Sequence, residues 1–121
     1  MKLSFVERNG QREWDHMFSY DLNKEGTSAT VYFKGDLDIE VTEMIEEQLI
    51  PLLKEYTMIN INMSGVHFVD STGIGLLINL VETLKSGEKK PKITISDVQS
   101  QVLQVFEIIQ LHEILGQEVF V

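Results

Sequence analysis

With 121 residues, 43% of them hydrophobic and 24% charged, the chain has the size and composition of one globular domain, which excludes a disordered or fibrous class. Ten basic residues against nineteen acidic ones leave a net charge of −9, which repels phosphate backbones and anionic lipid and argues against direct nucleic-acid binding. Without cysteine there is no disulfide framework, thiol nucleophile or thiolate metal site; with no signal-like N-terminal core and no apolar run near the roughly 18 residues of a membrane span, a cytoplasmic protein is expected.

In chain order, residues 1–16 fit no element cleanly: Leu3, Phe5 and Trp14 add an edge strand or simply cover a sheet. "HMFSYDL" and "ATVYFKG" read as strands separated by the turn-rich "NKEGTS", an antiparallel hairpin. After "GDLD", the stretch "EVTEMIEEQLIPLLKEY" places Val41, Ile45, Leu49 and Leu52 at three- and four-residue spacing, with acidic residues near the start where the helix dipole favours them. This is an amphipathic helix, with a kink or early end expected at Pro51, which lacks an N–H and clashes with the preceding turn. Glu43, Glu46 and Glu47 are expected on its solvated face.

"MININM" alternates with a strand's period, and a second helix follows from "DSTG". The segment "KSGEKKPK" gathers basic residues but contains Ser86, Gly87 and Pro91, and is read as a solvated loop. "KITI" is a further strand, "DVQSQVLQVFEII" holds a third helix, "LHEIL" a helical turn and "EVFV" a possible last strand. Strand and helix alternate as in an α/β layer, and the leading hairpin makes the sheet mixed: about four to five strands with helices mainly on one face. The other face is left to the N-terminal segment or to solvent.

The stretch "FVDSTGIGLL" carries the chemistry. Asp70 or Ser71 is a good N-cap, worth about 1 kcal/mol, but Gly73 and Gly75 in the first turn each cost roughly 0.8–1 kcal/mol against alanine. Something besides helix stability therefore selects them, and small residues around Ser71 would expose its hydroxyl to another protein. Ile74, Leu77, Ile78, Val81 and Leu84 share one stripe of the helix; Leu76 and Leu80 form a second, which lies under neighbouring structure or makes an exposed patch beside Ser71.

These residues resemble the signature of the STAS-domain anti-anti-sigma factors (anti-sigma factor antagonists) of bacteria: an apolar pair, Asp, Ser, Ser or Thr, Gly, Leu, Gly. "FKGDLDIEVTEMIEE" and "ISDVQSQVLQVFEIIQLHEIL" are similar to two further family blocks in the same order. The likeness runs from Met17 to about Leu115, so residues 1–16 are an N-terminal extension or edge segment and residues 17–121 the STAS domain. The chain departs from the pattern at Ile74, at Ile109-Gln110, where a small residue and glycine are usual, and at Pro51.

The resemblance implies a phosphorylation switch at Ser71. An anti-sigma factor that is also a serine kinase would bind the unphosphorylated protein, release its sigma factor and later modify Ser71; a metal-dependent serine phosphatase would reverse the mark. Asp36, Asp38, Asp70, Ser71, Thr72, Gly73, Ile74, Gly75 and Leu76 are the implied partner-binding residues, with Asp70 capping the helix, orienting Ser71, or both, and Asp36 and Asp38 also suited to turn and surface roles. No cofactor is implied.

Two other classes compete. A hydrolase would pair Ser71 with a histidine and a carboxylate, but His16, His67 and His112 are scattered and no Gly-x-Ser-x-Gly elbow occurs; His67 reads as partly buried. The second is a STAS scaffold subunit of a larger signalling or lipid-transport complex, which a sizing column would reveal as large particles.

Overall fold

The computed structural model of the chain describes residues 17–121 together with the backbone of two short strands ahead of them, β1 (Val6–Arg8) and β2 (Gln11–Glu13). These pair antiparallel, Arg8 with Gln11, so that only Asn9 and Gly10 separate them. Leu3, Phe5 and Trp14 lie outside the described residues.

The expected hairpin forms, with a tighter turn. Strands β3 (Ser19–Glu25) and β4 (Ser28–Lys34) pair antiparallel until only Gly26 and Thr27 remain, and Gly26 takes the left-handed backbone (φ 61°) that such short connections require. Strands β5 (Met58–Gly65) and β6 (Lys92–Ser96) are then added in parallel, giving the order β3-β4-β5-β6. The sheet is the mixed one expected from the sequence.

Period-2 alternation decides its faces. Ala29, Val31 and Phe33, Ile59, Ile61 and Met63, and Ile93 and Ile95 are buried on one side. The other side carries Thr30, Tyr32, Asn60, Asn62, Thr94 and Ser96, tied by side-chain bonds from Asn60 Nδ2 to Thr94 Oγ1 (2.8 Å), Ser96 Oγ to Asn60 Oδ1 (3.1 Å) and Asn62 Nδ2 to Asp97 Oδ2 (2.9 Å). Because both parallel connections step in one direction across the sheet, right-handed crossovers put their helices on the same face, and the buried residues identify it.

The first crossover differs from a regular helix. A 3-10 turn (Ile39–Val41) leads into a π-helical stretch (Met44–Leu49) and then a four-residue helix α1 (Ile50–Leu53). The wide turn is sealed by the Ile50 N–H donating to the Ile45 carbonyl, five residues back, and Pro51 then falls in the first turn of α1, where its missing N–H costs nothing. The core spacing adjusts accordingly: Val41, Ile45, Leu49 and Leu53 are buried, whereas Leu52, expected inside, is 38% exposed. Glu43, Glu46 and Glu47 are solvated, as expected.

Helix α2 (Ser71–Lys85) forms the second crossover, and the "KSGEKKPK" loop comes after it. Leu76 and Leu80 are buried together with Leu77, Val81 and Leu84, so the second apolar strip lies under neighbouring structure; Ile74 and Ile78 are only partly covered. Helices α3 (Ser100–Ile108) and α4 (Leu111–Leu115) close the layer, and "EVFV" makes no strand: a 3-10 turn (Gln117–Val119) precedes a single bridge between Phe120 and Ile95, with the Val121 N–H donating to the Ile95 carbonyl (3.1 Å). No helix is long and apolar enough to cross a membrane among the described residues.

Between α3 and α4, Gln110 holds a left-handed conformation (φ 56°, ψ 50°) at the position where the resembled pattern has glycine. A side chain there costs about 1–2 kcal/mol, partly offset by its smaller unfolded-state entropy. Gln110→Gly is therefore expected to raise stability by about 0.5–1 kcal/mol, read as a shift in urea midpoint at constant m.

Candidate functional site

The site is built where the C-terminal ends of the parallel strands β4 and β5 meet the start of α2. A one-residue register shift between the Tyr32–Asn62 and Lys34–Gly65 pairs puts an extra residue into β5. Asn62 steadies this bulge, its Oδ1 accepting from the Ser64 N–H (2.9 Å) and hydroxyl (2.7 Å). Bulges bend a strand and redirect the chain that leaves it, here residues 66–70.

That segment then lies beside the loop leaving β4. The Leu37 N–H donates to the Phe68 carbonyl (3.0 Å), the Asp70 N–H donates to the Leu37 carbonyl (3.3 Å), and Leu37 bridges Val69 in parallel. Leu37 and Val69 point inward and are buried, so their chain neighbours Asp36, Asp38, Phe68 and Asp70 flank an outward surface. The strand alternation that buries one set thus presents the other.

Asp70 is the N-cap of α2. With extended backbone (φ −104°, ψ −177°), its Oδ1 accepts from the Gly73 N–H at 2.8 Å, and its carbonyl accepts the first helical bond from the Ile74 N–H at 3.0 Å. Ser71 is therefore the first residue of a fifteen-residue helix, and it is exposed. Its position is fixed from both sides: the cap orders the chain behind it, and the helix orders the chain ahead.

The two glycines do different work. A Cβ on Gly73 would sit 1.9 Å from the Leu37 carbonyl oxygen, so this glycine exists to let the β4 loop lie against the helix. A Cβ on Gly75 would meet nothing within 4 Å. The expectation that both clear space for a visitor is corrected for Gly73, which clears space for the protein's own backbone. Leu76, also expected in contact with a partner, is 5% exposed and belongs to the core. Gly73 and Leu76 can hold this surface in place but have no side chain to present on it.

Around Ser71 the accessible residues are Thr72 and Ile74, both half-buried, and Gly75, exposed. Asp38 is half-buried and caps the 3-10 turn, its Oδ1 accepting from the Glu40 N–H at 3.0 Å; Asp36, on the other side of Leu37, is also half-buried. Both aspartates stand on the loop locked to α2. Two neighbours are missed by sequence patterning: Phe68 is 51% exposed and Ile39 is 66% exposed. The parity of the chain around buried Val69 and Leu37 was the available signal. Large apolar side chains left in water on the same loops as a hydroxyl and several carboxylates make this surface amphipathic.

His67 is exposed, not partly buried as expected, and His112 lies on α4 in a small C-terminal cleft with Leu103, Phe106 and Phe120. The structure thus brings neither residue into a base–nucleophile pair with Ser71 among the interactions described for it.

Comparison with known proteins places this geometry. The STAS domain family model matches residues 20–120. The anti-sigma-B factor antagonist of Staphylococcus aureus is 29% identical over 100 residues, covering 78% of this chain and 91% of that protein. The fold is shared with an anti-sigma factor antagonist from Mycobacterium paratuberculosis (TM-score 0.68, 15% identity, 92% of this chain and 88% of that one). It is also shared with the Bacillus cell-fate determinant SpoIIAA in its phosphorylated form (TM-score 0.62, 19% identity, 85% of this chain and 89% of that one). From the hairpin to the C-terminal bridge, the chain belongs to the STAS domain family.

Proposed function

We propose that this protein is an anti-sigma factor antagonist whose docking surface is gated by phosphorylation of Ser71. The observation that carries the reading is the exposed hydroxyl at the first position of α2, held on a frame formed by the Asp70 cap and the Leu37 loop. The unphosphorylated surface binds an anti-sigma factor that is also a serine kinase, and the sigma factor is released. Asp36, Asp38 and Asp70 supply negative charge to a basic patch of that partner, while Phe68, Ile39, Ile74 and the open backbone at Gly75 supply apolar contact. A metal-dependent serine phosphatase restores the active form.

The physics of the gate is asymmetric. A phosphate brings about −1.5 to −2 charges. At a helix N-terminus the dipole and the unpaired first-turn amides favour it by about 0.3–2 kcal/mol, so the fold tolerates the mark. A complex packed around a neutral hydroxyl does not, because the same group must be stripped of water next to the Asp70 carboxylate.

The test is intact-mass analysis after incubation with ATP and candidate anti-sigma kinases from the same genome. One added phosphate on the wild type and none on Ser71→Ala is the expected result. Phosphate that persists on Ser71→Ala would move the acceptor elsewhere and remove the basis of the proposal.

A further inference from the structure

We propose that Asp97 and Gln99, on the loop between β6 and α3, are positioning residues for the Ser71 surface: their side chains clamp the β5 bulge from which residues 66–71 depart. The clamp has two arms. Asp97 Oδ2 accepts from Asn62 Nδ2 at 2.9 Å, and the other end of the same carboxamide, Asn62 Oδ1, accepts from the Ser64 N–H and hydroxyl. Gln99 Nε2 donates to the Ser64 carbonyl. Ser64 is thus held at its N–H, its hydroxyl and its carbonyl by Asn62 and Gln99, with Asp97 fixing Asn62 from behind.

Both loop residues do this at a local cost. Asp97 takes left-handed backbone (φ 58°), a conformation that side chains rarely adopt. Gln99 is the N-cap of α3, yet its side chain makes no capping bond, although Ser, Asp or Asn at that position would satisfy an open first-turn amide. Its carboxamide is directed instead to a strand thirty-five residues away in sequence. A loop shaped for the stability of α3 alone would carry a capping side chain at position 99 and glycine at position 97. What the two departures have in common is the bulge.

From the bulge the chain runs straight to the site. The Gly65 carbonyl accepts from the Gly35 N–H (3.0 Å), the Val66 N–H donates to the Met63 carbonyl (3.0 Å), and the Asp70 N–H then reaches the Leu37 carbonyl. A change of direction at Ser64 is therefore carried to Phe68 and Asp70, and through the Asp70 cap to Ser71. That this geometry serves docking rests on the function proposed above; that it depends on Asp97 and Gln99 does not.

Gln99→Ser and Asp97→Gly separate positioning from stability, because each substitution relieves the local cost while removing one arm of the clamp. Each variant is expected to melt near or above the wild-type temperature. Amide hydrogen exchange in the free protein should nevertheless quicken by about fivefold, the worth of one hydrogen bond, at Val66, at Asp70 and at the Leu37 N–H that meets Phe68. Val31 and Ile61, in the middle of the sheet, should keep their wild-type rates. Unchanged exchange at Val66, Asp70 and Leu37 in both variants overturns the proposal. So does faster exchange at Val31 and Ile61 together with a lower Tm, which would make the two residues supports of the whole fold. Because exchange is read without a partner, a wild-type protein that binds no anti-sigma factor removes the docking function and leaves the clamp to be decided by these rates.

Discussion

Replacing Gly73 by alanine is expected to lower stability by about 3 kcal/mol, the upper part of the range for overpacking a filled site, and to reduce Tm by roughly 10–15 °C. Helix propensity alone predicts the opposite sign, a gain of about 1 kcal/mol for Gly→Ala. The added methyl would stand 1.9 Å from the Leu37 oxygen and 2.7 Å from its carbonyl carbon. These are backbone atoms held by two hydrogen bonds to the 68–70 segment, so no side-chain rotation relieves the clash. Gly75→Ala is the matched control: with nothing within 4 Å, it should stabilise by about 0.5–1 kcal/mol. Paired thermal and urea melts check both. A stabilised Gly73→Ala protein would mean that the β4 loop does not rest on α2, and the rigid frame proposed for Ser71 would go with it.

Why one of these glycines could be understood from the sequence and the other could not shows where pattern reading stops. The alternation in "MININM" and the stripe of α2 report burial directly, because period and side-chain direction are the same fact. The Asp70 cap was legible for a similar reason: it acts within three residues of itself. Gly73 answers to Leu37, thirty-six positions away, and only the zipper between the two loops creates its constraint. The bulge in β5 and the exposure of Phe68 are likewise products of pairing between strands. In the first crossover the failure is of another kind. Val41, Ile45 and Leu49 repeat every four residues, a spacing that a regular helix turns slowly off its face; the wide π turn keeps it inside and carries the repeat to Leu53, leaving Leu52 in water. Pro51 signalled an irregularity without specifying which one. At the N-terminus, Asn9-Gly10 between two short polar strands was a usable hairpin signal, hidden by the absence of alternating hydrophobic residues around it.

If Ser71 gates docking as proposed, Ser71→Asp is expected to weaken binding to the proposed anti-sigma partner by about a hundredfold while leaving the thermal melt near that of the wild type. Two single charges about 6 Å apart repel by roughly 0.7 kcal/mol in water and by about 3 kcal/mol at the effective dielectric of a protein surface. In the free protein the first value applies, and it is offset by the roughly 0.3–1 kcal/mol a carboxylate gains in the first turn of a helix, so stability barely moves. In the complex the second value applies, because the partner displaces the water that screens Asp70 from position 71; about 3 kcal/mol is about a hundredfold in affinity. A phosphate, with nearly twice the charge, should exceed this effect, and Ser71→Ala should show none of it. Calorimetric titration against the anti-sigma partner, beside melts of the same preparations, separates the two quantities. Unimpaired binding by Ser71→Asp would show that position 71 is not covered in the complex, and a large drop in Tm would show that the charge acts on the fold; either result removes the gate, since a gate must distinguish the bound state from the free one.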